Sequence, residues 1–254
     1  MLNEKQINEY VDNGYVIPDF KMDEKDLLEI EILHDNLIQK YPKYINYCPA
    51  LLQYDEKFLK YCLNETILDF VQQLIGHNFA LWNSSFFAKP ALNGHATPWH
   101  QDGQYWPIRP LATCTVWLAI DDANVENGCL RFIKGSHKEK KLKSHNINDN
   151  KNLTLNQELD ESEYNEKDAV NLTLKRGQIS LHDVYLVHGS EANNSSMARR
   201  AITMRFMPTS SVFDHQMVKD KNLFSKLNAS KYQDRKIYHM RGKDISGKNN
   251  LTYI

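Results

Sequence analysis

Apolar positions at helical spacing open the chain. Ile7, Tyr10 and Val11 recur behind Asn3, a residue type that caps helices, so the pattern predicts a helix over 3–12. Asn13-Gly14 ends it, and Tyr15-Val16-Ile17 reads as a short strand before Pro18. A second helix is expected from about Glu24 to Gln39, capped by Asp23, with Leu27, Ile30, Leu33 and Leu37 as its apolar stripe. Residues 41–62, with Pro42, Pro49 and several tyrosines, follow neither period. A third helix is expected at about 65–75, through Thr66, Ile67, Phe70, Val71 and Leu74, stopped by Gly76.

From Phe79 the period changes. Short strand-like runs fall at 79–89, 97–101, 112–120, 129–133, 170–174, 178–181, 184–188 and 199–207. Turn signals separate them, among them Asn127-Gly128, Gly135-Ser136 and Arg176-Gly177. Many short strands after a helical start predict a sandwich or barrel with helices on one outer side. Residues 137–168 are polar and charged with few apolar anchors. A functional lid and a solvated surface loop stand level as readings of them. In the tail from about 214, a stretch over about 216–228 reads as helix and the last residues as loosely ordered.

Composition narrows the class without changing the fold. In 254 residues, 41% are hydrophobic and 25% charged, the profile of a soluble globular protein with enough chain to bury a core unaided. A net charge of −1 gives no electrostatic case for nucleic acid or an anionic membrane. Cys48, Cys62, Cys114 and Cys129 form no C-x-x-C pair and read as reduced thiols. Cys114 and Cys129, facing across a hairpin, read as small buried fillers rather than a redox pair. Neither a signal-peptide core nor a membrane-spanning apolar run is visible. The expectation is a cytoplasmic protein acting on a small molecule, with oligomeric state left open.

The candidate chemistry centres on Pro98-Trp99-His100-Gln101-Asp102-Gly103. If this segment is extended, the strand period of two turns His100 and Asp102 to one face. His188, far downstream in Val187-His188-Gly189-Ser190, can close the set. Two neutral imidazoles and one carboxylate on one side of a metal, with other positions open, is the facial arrangement of non-haem Fe(II) oxygenases. Arg199 lies past the polar turn 191–196. If His188 ends one strand and Arg199 starts its antiparallel neighbour, both face one cavity. A guanidinium there forks onto a carboxylate, and Ser190, on the same face as His188, can donate to it as well. That pair would hold the far carboxylate of 2-oxoglutarate. Arg200 is the alternative to Arg199, since strand alternation puts only one of them inside.

Together, Thr97-Pro98-Trp99-His100-Gln101-Asp102, Glu126-Asn127-Gly128-Cys129-Leu130-Arg131-Phe132, Gly135-Ser136-His137 and His188-Gly189-Ser190 followed by Arg199-Arg200 resemble the phytanoyl-CoA dioxygenase family, which includes ectoine hydroxylases. The likeness spans about 80–208. It implies an all-β core with flanking helices, a double-stranded β-helix (jelly roll, cupin-like). It also implies dependence on Fe(II), 2-oxoglutarate and O2, with succinate and CO2 as co-products. His100, Asp102 and His188 match the family's iron ligands, Arg199 its 2-oxoglutarate arginine and Ser190 a co-substrate contact. Trp106 matches an aromatic that ectoine hydroxylases carry, and Asn83 falls near a polar co-substrate contact. Lys134 departs from the proline common before Gly-Ser-His. Because Asp102 is present, the related halogenases are disfavoured.

The expectation is therefore one domain over 1–254, with a helical region 1–78, a jelly-roll core 79–208 and an extension 209–254. Its expected activity is hydroxylation of a small metabolite. Desaturation, ring formation, epimerisation or halogenation with the same cofactors is the alternative, and a zinc hydrolase or a non-catalytic jelly-roll binding module stands behind it. His182 reads as a structural histidine or a substrate contact, Arg205 as an inward or a paired surface arginine, and Arg109 as a weaker case at the pocket mouth.

Overall fold

The first helix starts with a reciprocal pair of caps. The Asn3 side chain accepts from the Gln6 amide at 2.9 Å, and the Gln6 side chain accepts from the Asn3 amide at 3.0 Å. The computed structural model describes residues 1–219 and 235–254. Helix α1 (Glu4–Asn13) ends at Gly14, whose φ of 86° is the left-handed conformation such an end requires. β1 (Tyr15–Val16) follows, then α2 (Glu24–Lys40), which buries Leu27, Ile30, Leu33 and Leu37. Asp23 sits at the N-cap of α2, but its carboxylate makes no capping hydrogen bond. The stretch that followed neither period divides into β2 (Tyr47–Cys48), α3 (Leu51–Tyr54) and α4 (Leu59–Cys62). It leads into α5 (Glu65–Ile75), capped by the Asn64 side chain.

The strands are β3 (Phe79–Lys89), β4 (Thr97–His100), β5 (Ile108–Arg109), β6 (Cys114–Ala119), β7 (Leu130–Ile133), β8 (His145–Ile147), β9 (Gln157–Leu159), β10 (Ala169–Leu172), β11 (Ile179–Asp183), β12 (His188–Ser190), β13 (Arg199–Pro208) and β14 (Val212–Phe213). After α6 (His215–Lys219) come β15 (Ile237–Arg241) and β16 (Leu251–Thr252). They build a jelly roll. A large sheet in the order β1-β11-β6-β13-β3-β15-β16, with β2 also on β3, opposes a smaller one in the order β10-β7-β12-β4.

Strand alternation divides the large sheet's side chains between two environments. Val116, Leu118, Ile179, Leu181, Ile202 and Met204 pack with Leu27, Ile30, Ile67 and Phe70 beneath the helices. Thr115, Trp117, His182, Arg199, Thr203 and Arg205 point the other way and line a narrow pocket between the sheets. Apolar clusters close the interior on either side of this polar zone. One gathers Trp117, Ala119, Phe132, Leu172 and Leu186, the other Trp82, Trp106, Val184, Met207 and Phe213.

A bulge on β3 re-aims part of this pattern. Arg205 pairs with Asn83 and Phe206 with Leu81, so Trp82 is the extra residue. Beyond it the parity of β3 reverses. Phe79 and Leu81 join the helix-side core, whereas Asn83 and Phe87 face the cavities. Trp82 itself packs against Trp106 with ring centroids 4.7 Å apart.

Several expectations need correction. The run 184–188 is a turn, and His188 begins a strand rather than ending one. β12 and β13 are not neighbours; they belong to opposite sheets, so His188 and Arg199 meet across the interior. Asn127-Gly128 does not close a hairpin, because β6 and β7 also lie in different sheets. The Asn127 side chain instead braces this crossover, donating to the Asp122 carbonyl at 2.8 Å. The four cysteines are free and buried. The chain's end is not loose: β15 pairs with β3 and buries Ile237 and Tyr238, and β16 adds a further edge. The helix expected at about 216–228 lies outside the described residues beyond Lys219. Among the described residues no helix is long and apolar enough to cross a membrane.

His34 on α2 is buried against Phe86, with ring centroids 3.9 Å apart, and neither ring nitrogen has a hydrogen-bond partner. Burial, helped by Arg200, pushes its imidazole down to about 4, from 6.5. The unfolded chain therefore binds this proton first, and stability falls as pH drops from about 6.5 toward 4. His34→Phe should remove about 2 kcal/mol of the wild-type loss between pH 7 and pH 5. Urea midpoints at the two pH values measure it; parallel losses in both proteins refute this account of His34.

Candidate active site

His100, Asp102 and His188 bring one ligand atom each to within 4.8 Å of one another, and all three are buried. His100 is the last residue of β4, and Gln101 continues extended (φ −111°, ψ 132°), which turns Asp102 to the same side. His188 reaches the same point from β12, paired with His100 across the small sheet. Gly189 allows that approach: a Cβ there would lie 3.1 Å from the Thr97 carbonyl oxygen and 3.3 Å from Trp99. Gln101 faces the opposite way and is fully buried. Its side chain bonds the Tyr185 and Lys141 carbonyls and the Lys143 amide, and its own amide donates to His145 Nε2 at 3.0 Å. The residue between two triad members thus ties the triad to the 137–168 insertion.

Both triad imidazoles are oriented from behind. His100 Nδ1 lies 2.8 Å from the Pro98 carbonyl oxygen, and His188 Nδ1 2.9 Å from that of Leu186. With Nδ1–H donated, each Nε2 carries a free lone pair, and these lie 3.7 and 4.0 Å from Asp102 Oδ1. Burial, with His100 beside it, holds the His188 imidazole well below its ordinary range, so it is neutral. Burial also pushes the Asp102 carboxyl up. The Arg205 guanidinium, with His100, His182 and His188, outweighs this and holds it well below the usual carboxylate range. Thr115 Oγ1 donates to Asp102 Oδ2 at 3.3 Å, and His182 Nε2 stands 3.6 Å from the same oxygen. Neutral imidazoles beside an ionised carboxylate form a donor set for a divalent metal with open positions.

Behind the triad, the same narrow pocket holds Arg199 and Ser190. Arg199 is 1% exposed and stands over the Trp117 ring at 5.4 Å; its Nε and Nη1 have no hydrogen-bond partner. Burial lowers its guanidinium to about 10, which leaves it charged at neutral pH. Ser190 Oγ is buried and unpartnered too. Orphaned donors of this kind cost free energy unless an anion completes them, and a carboxylate fits both. Arg200 faces outward instead, paired with Asp121 at 2.8 Å.

On the other side the pocket opens into a cavity of about 660 Å³. Asp102, Phe87 and Arg205 line both spaces. Asn83 and Trp106, expected beside the co-substrate, line the wide cavity and not the pocket of Arg199. The register explains it: Asn83 pairs with Arg205, while Lys89 pairs with Arg199 at the other end of the strand. Arg109 is exposed, hydrogen-bonded to the Trp106 and Ile108 carbonyls, and lines neither space.

A family model described as phytanoyl-CoA dioxygenase matches residues 34–201, most of the chain and all of the triad. The chain belongs to the phytanoyl-CoA dioxygenase family. Among its curated relatives, a phytanoyl-CoA dioxygenase domain-containing protein 1 homolog of Dictyostelium discoideum is 32% identical over 160 residues, 62% of this chain and 57% of that one. The peroxisomal phytanoyl-CoA dioxygenase of Homo sapiens is 32% identical over 164 residues, 61% of this chain and 47% of its own. The match thus spans about half the length of these relatives. Among solved structures, an apo non-heme monooxygenase, ThoJ, superposes with a TM-score of 0.72 at 18% identity. It covers 98% of this chain and 86% of that one, a likeness of fold.

Within this phytanoyl-CoA dioxygenase-family site, some residues escaped the sequence reading. Thr115 and Trp117 were detectable, since alternation along β6 puts both inside once Val116 and Leu118 are assigned to the core. The cavity wall from Asn148 to Gln157, with Tyr44, Tyr47 and His95, was not: no motif marks it. As a test of the metal site, the wild type should bind one ferrous ion per chain in anaerobic dialysis. Asp102→Ala and His188→Ala should each weaken this at least ~100-fold while the circular dichroism stays native. Unchanged affinity in either variant contradicts the assignment.

Proposed function

We propose that the protein is an Fe(II)- and 2-oxoglutarate-dependent dioxygenase that hydroxylates a small-molecule metabolite, releasing succinate and CO2. One observation supports this above others: a two-histidine, one-carboxylate triad shares a buried pocket with an unpaired guanidinium and an unpaired hydroxyl. A zinc hydrolase has no use for that second feature, because hydrolysis needs no dicarboxylate clamp.

Ferrous iron bound here would supply dioxygen activation, coupled to oxidative decarboxylation of 2-oxoglutarate. The chain does the rest. His100, Asp102 and His188 are the metal ligands, held by the Pro98 and Leu186 carbonyls and the Thr115 hydroxyl. Arg199, seconded by Ser190, takes the far carboxylate of the co-substrate and so fixes its reach toward the triad. Trp117 and Leu130 line the inner end, and Phe132 packs behind His182 and His188. Asn83 and Trp106 form part of the wall against which the substrate lies, and no side chain is required as general base.

The 660 Å³ cavity is of a size for a small molecule. Its described lining includes the basic side chains of Lys43, Lys151, Arg205 and Arg235, which favours a polar or anionic metabolite. Free, buried cysteines agree with a reducing compartment such as the cytoplasm.

Anaerobic calorimetry with ferrous ion tests the reading. The wild type should bind 2-oxoglutarate, and Arg199→Met should weaken it about 100-fold, about 3 kcal/mol, without loss of iron. Tight zinc binding with indifference to 2-oxoglutarate sinks the proposal. Product mass, one oxygen heavier than substrate, separates hydroxylation from desaturation or epimerisation.

A further inference from the structure

Arg205 helps to keep Asp102 ionised, but no ligand has been assigned to it. It is 4% exposed, at the junction between the triad pocket and the wide cavity, and it lines both. Its Nη1 donates to Ser85 Oγ at 2.6 Å. Its Nε has no hydrogen-bond partner, and its Nη2 is 3.9 Å from Asp102 Oδ1, beyond hydrogen-bond range. The guanidinium stands over the Trp106 ring at 5.1 Å and the Phe87 ring at 5.9 Å, so aromatic walls hold it in place.

Charge counting gives this arginine a meaning, and here the inference rests on the proposed function. A ferrous ion, the Asp102 carboxylate, the two carboxylates of 2-oxoglutarate and the Arg199 guanidinium together sum to zero. Lys89, the buried amine nearest Arg199, is pushed down to about 6 by burial and adds little charge at neutral pH. Arg205 is then one positive charge beyond those that cancel, with an unused donor, where the pocket meets the wide cavity. A buried charge in that state is costly unless something pairs with it. Arg205 is also distant from Arg199: six residues along one strand separate their Cα atoms by about 20 Å.

We propose that Arg205 anchors the substrate, and that the substrate is a small monoanionic organic acid whose carboxylate docks on this guanidinium. The acid's neighbouring C–H bonds then lie at the triad's cavity side, beside Asp102 and Trp106. Arg205 would set specificity by charge, and an uncharged analogue of the same shape would leave its donor orphaned.

The test compares propionate with propionamide, at equal ionic strength, by ligand-observed NMR on the full chain. It is run anaerobically with ferrous ion and 2-oxoglutarate, and again with neither. Propionate should bind at least ~10-fold tighter than propionamide. Arg205→Met should erase that preference and Arg205→Lys should reduce it, whereas Arg199→Met should keep it. Equal binding of acid and amide by the wild type overturns the proposal. So does a preference that survives Arg205→Met, or one lost only in Arg199→Met. If Arg205→Met fails to fold, Arg205→Lys decides, and an undiminished preference there is fatal. The metal-free arm reads Arg205 without iron or turnover, so its failure is distinct from a failure to bind 2-oxoglutarate, which would strike the oxygenase reading alone.

Discussion

An ionised carboxylate buried between two β-sheets is the constraint around which this structure is arranged. Asp102 is 7% exposed, and taking such a charge out of water is expensive unless it is surrounded by partners. Here the partners come from five strands and both sheets. His100 precedes it on β4, His188 stands opposite on β12, and Thr115, His182 and Arg205 reach in from the large sheet. Deleting any of these elements would leave the charge exposed to apolar walls. The polar zone they form is narrow, and apolar clusters built on Trp117 and Phe132 at one end and Trp82 and Trp106 at the other seal it.

A jelly roll suits this chemistry because its two sheets can contribute different things. The small sheet carries the two imidazoles, whose rings are fixed by backbone carbonyls of their own segments. The large sheet carries the guanidiniums, on a strand that is central, flanked by β6 and β3. His100, His188 and Ser190 thus lie on strands of the small sheet and Arg199 on a central strand of the large one, while Asp102 stands in the turn just past β4. The loop-rich part, residues 137–168, contributes instead to the cavity wall, where Asn148 to Gln157 lie. It is joined to the triad through Gln101, so the wall cannot shift without straining the bonds that place His100 and Asp102.

Much of this was legible from periodicity. The helices α1, α2 and α5 form where their spacing marks them, although in α1 only Tyr10 of the marked residues is buried and Val11 is exposed, and β3, β6, β11 and β13 fall close to where apolar runs place them. The period of two was enough to bring His100 and Asp102 to one side and to put only one of Arg199 and Arg200 inside; the structure shows it to be Arg199. Sheet membership was not legible. Proximity in sequence made β12 and β13 look like a hairpin, yet a jelly roll sends successive strands to opposite sheets, and no local signal announces that crossing. The bulge at Trp82 was hidden for a related reason. An apolar run reads the same with one residue inserted, and only the partner strand's register shows that parity has changed. The terminal strands β15 and β16 carry too few apolar residues to stand out alone; pairing with β3 makes them ordered.

The two inward arginines also show how one strand can carry two unlike environments. Lys89, paired with Arg199 across the strands, is buried as well, and its amine is committed to the carbonyls of His95 and Glu191. Those bonds tie the end of β3 to the turn between β12 and β13, and a largely neutral amine makes them without adding to the local charge. Arg199 is then a full positive charge in a buried recess, a condition that favours an anionic partner. Near Arg205 the recess has opened into the wide cavity, and the guanidinium stands between an aromatic ring and the Asp102 carboxylate. Both arginines sit on one strand, with the register shift against β3 at the Arg205 end. What differs is the wall opposite: Leu130 and Phe132 of the small sheet border the inner pocket, whereas the polar segment 148–157 lines the cavity beyond Arg205.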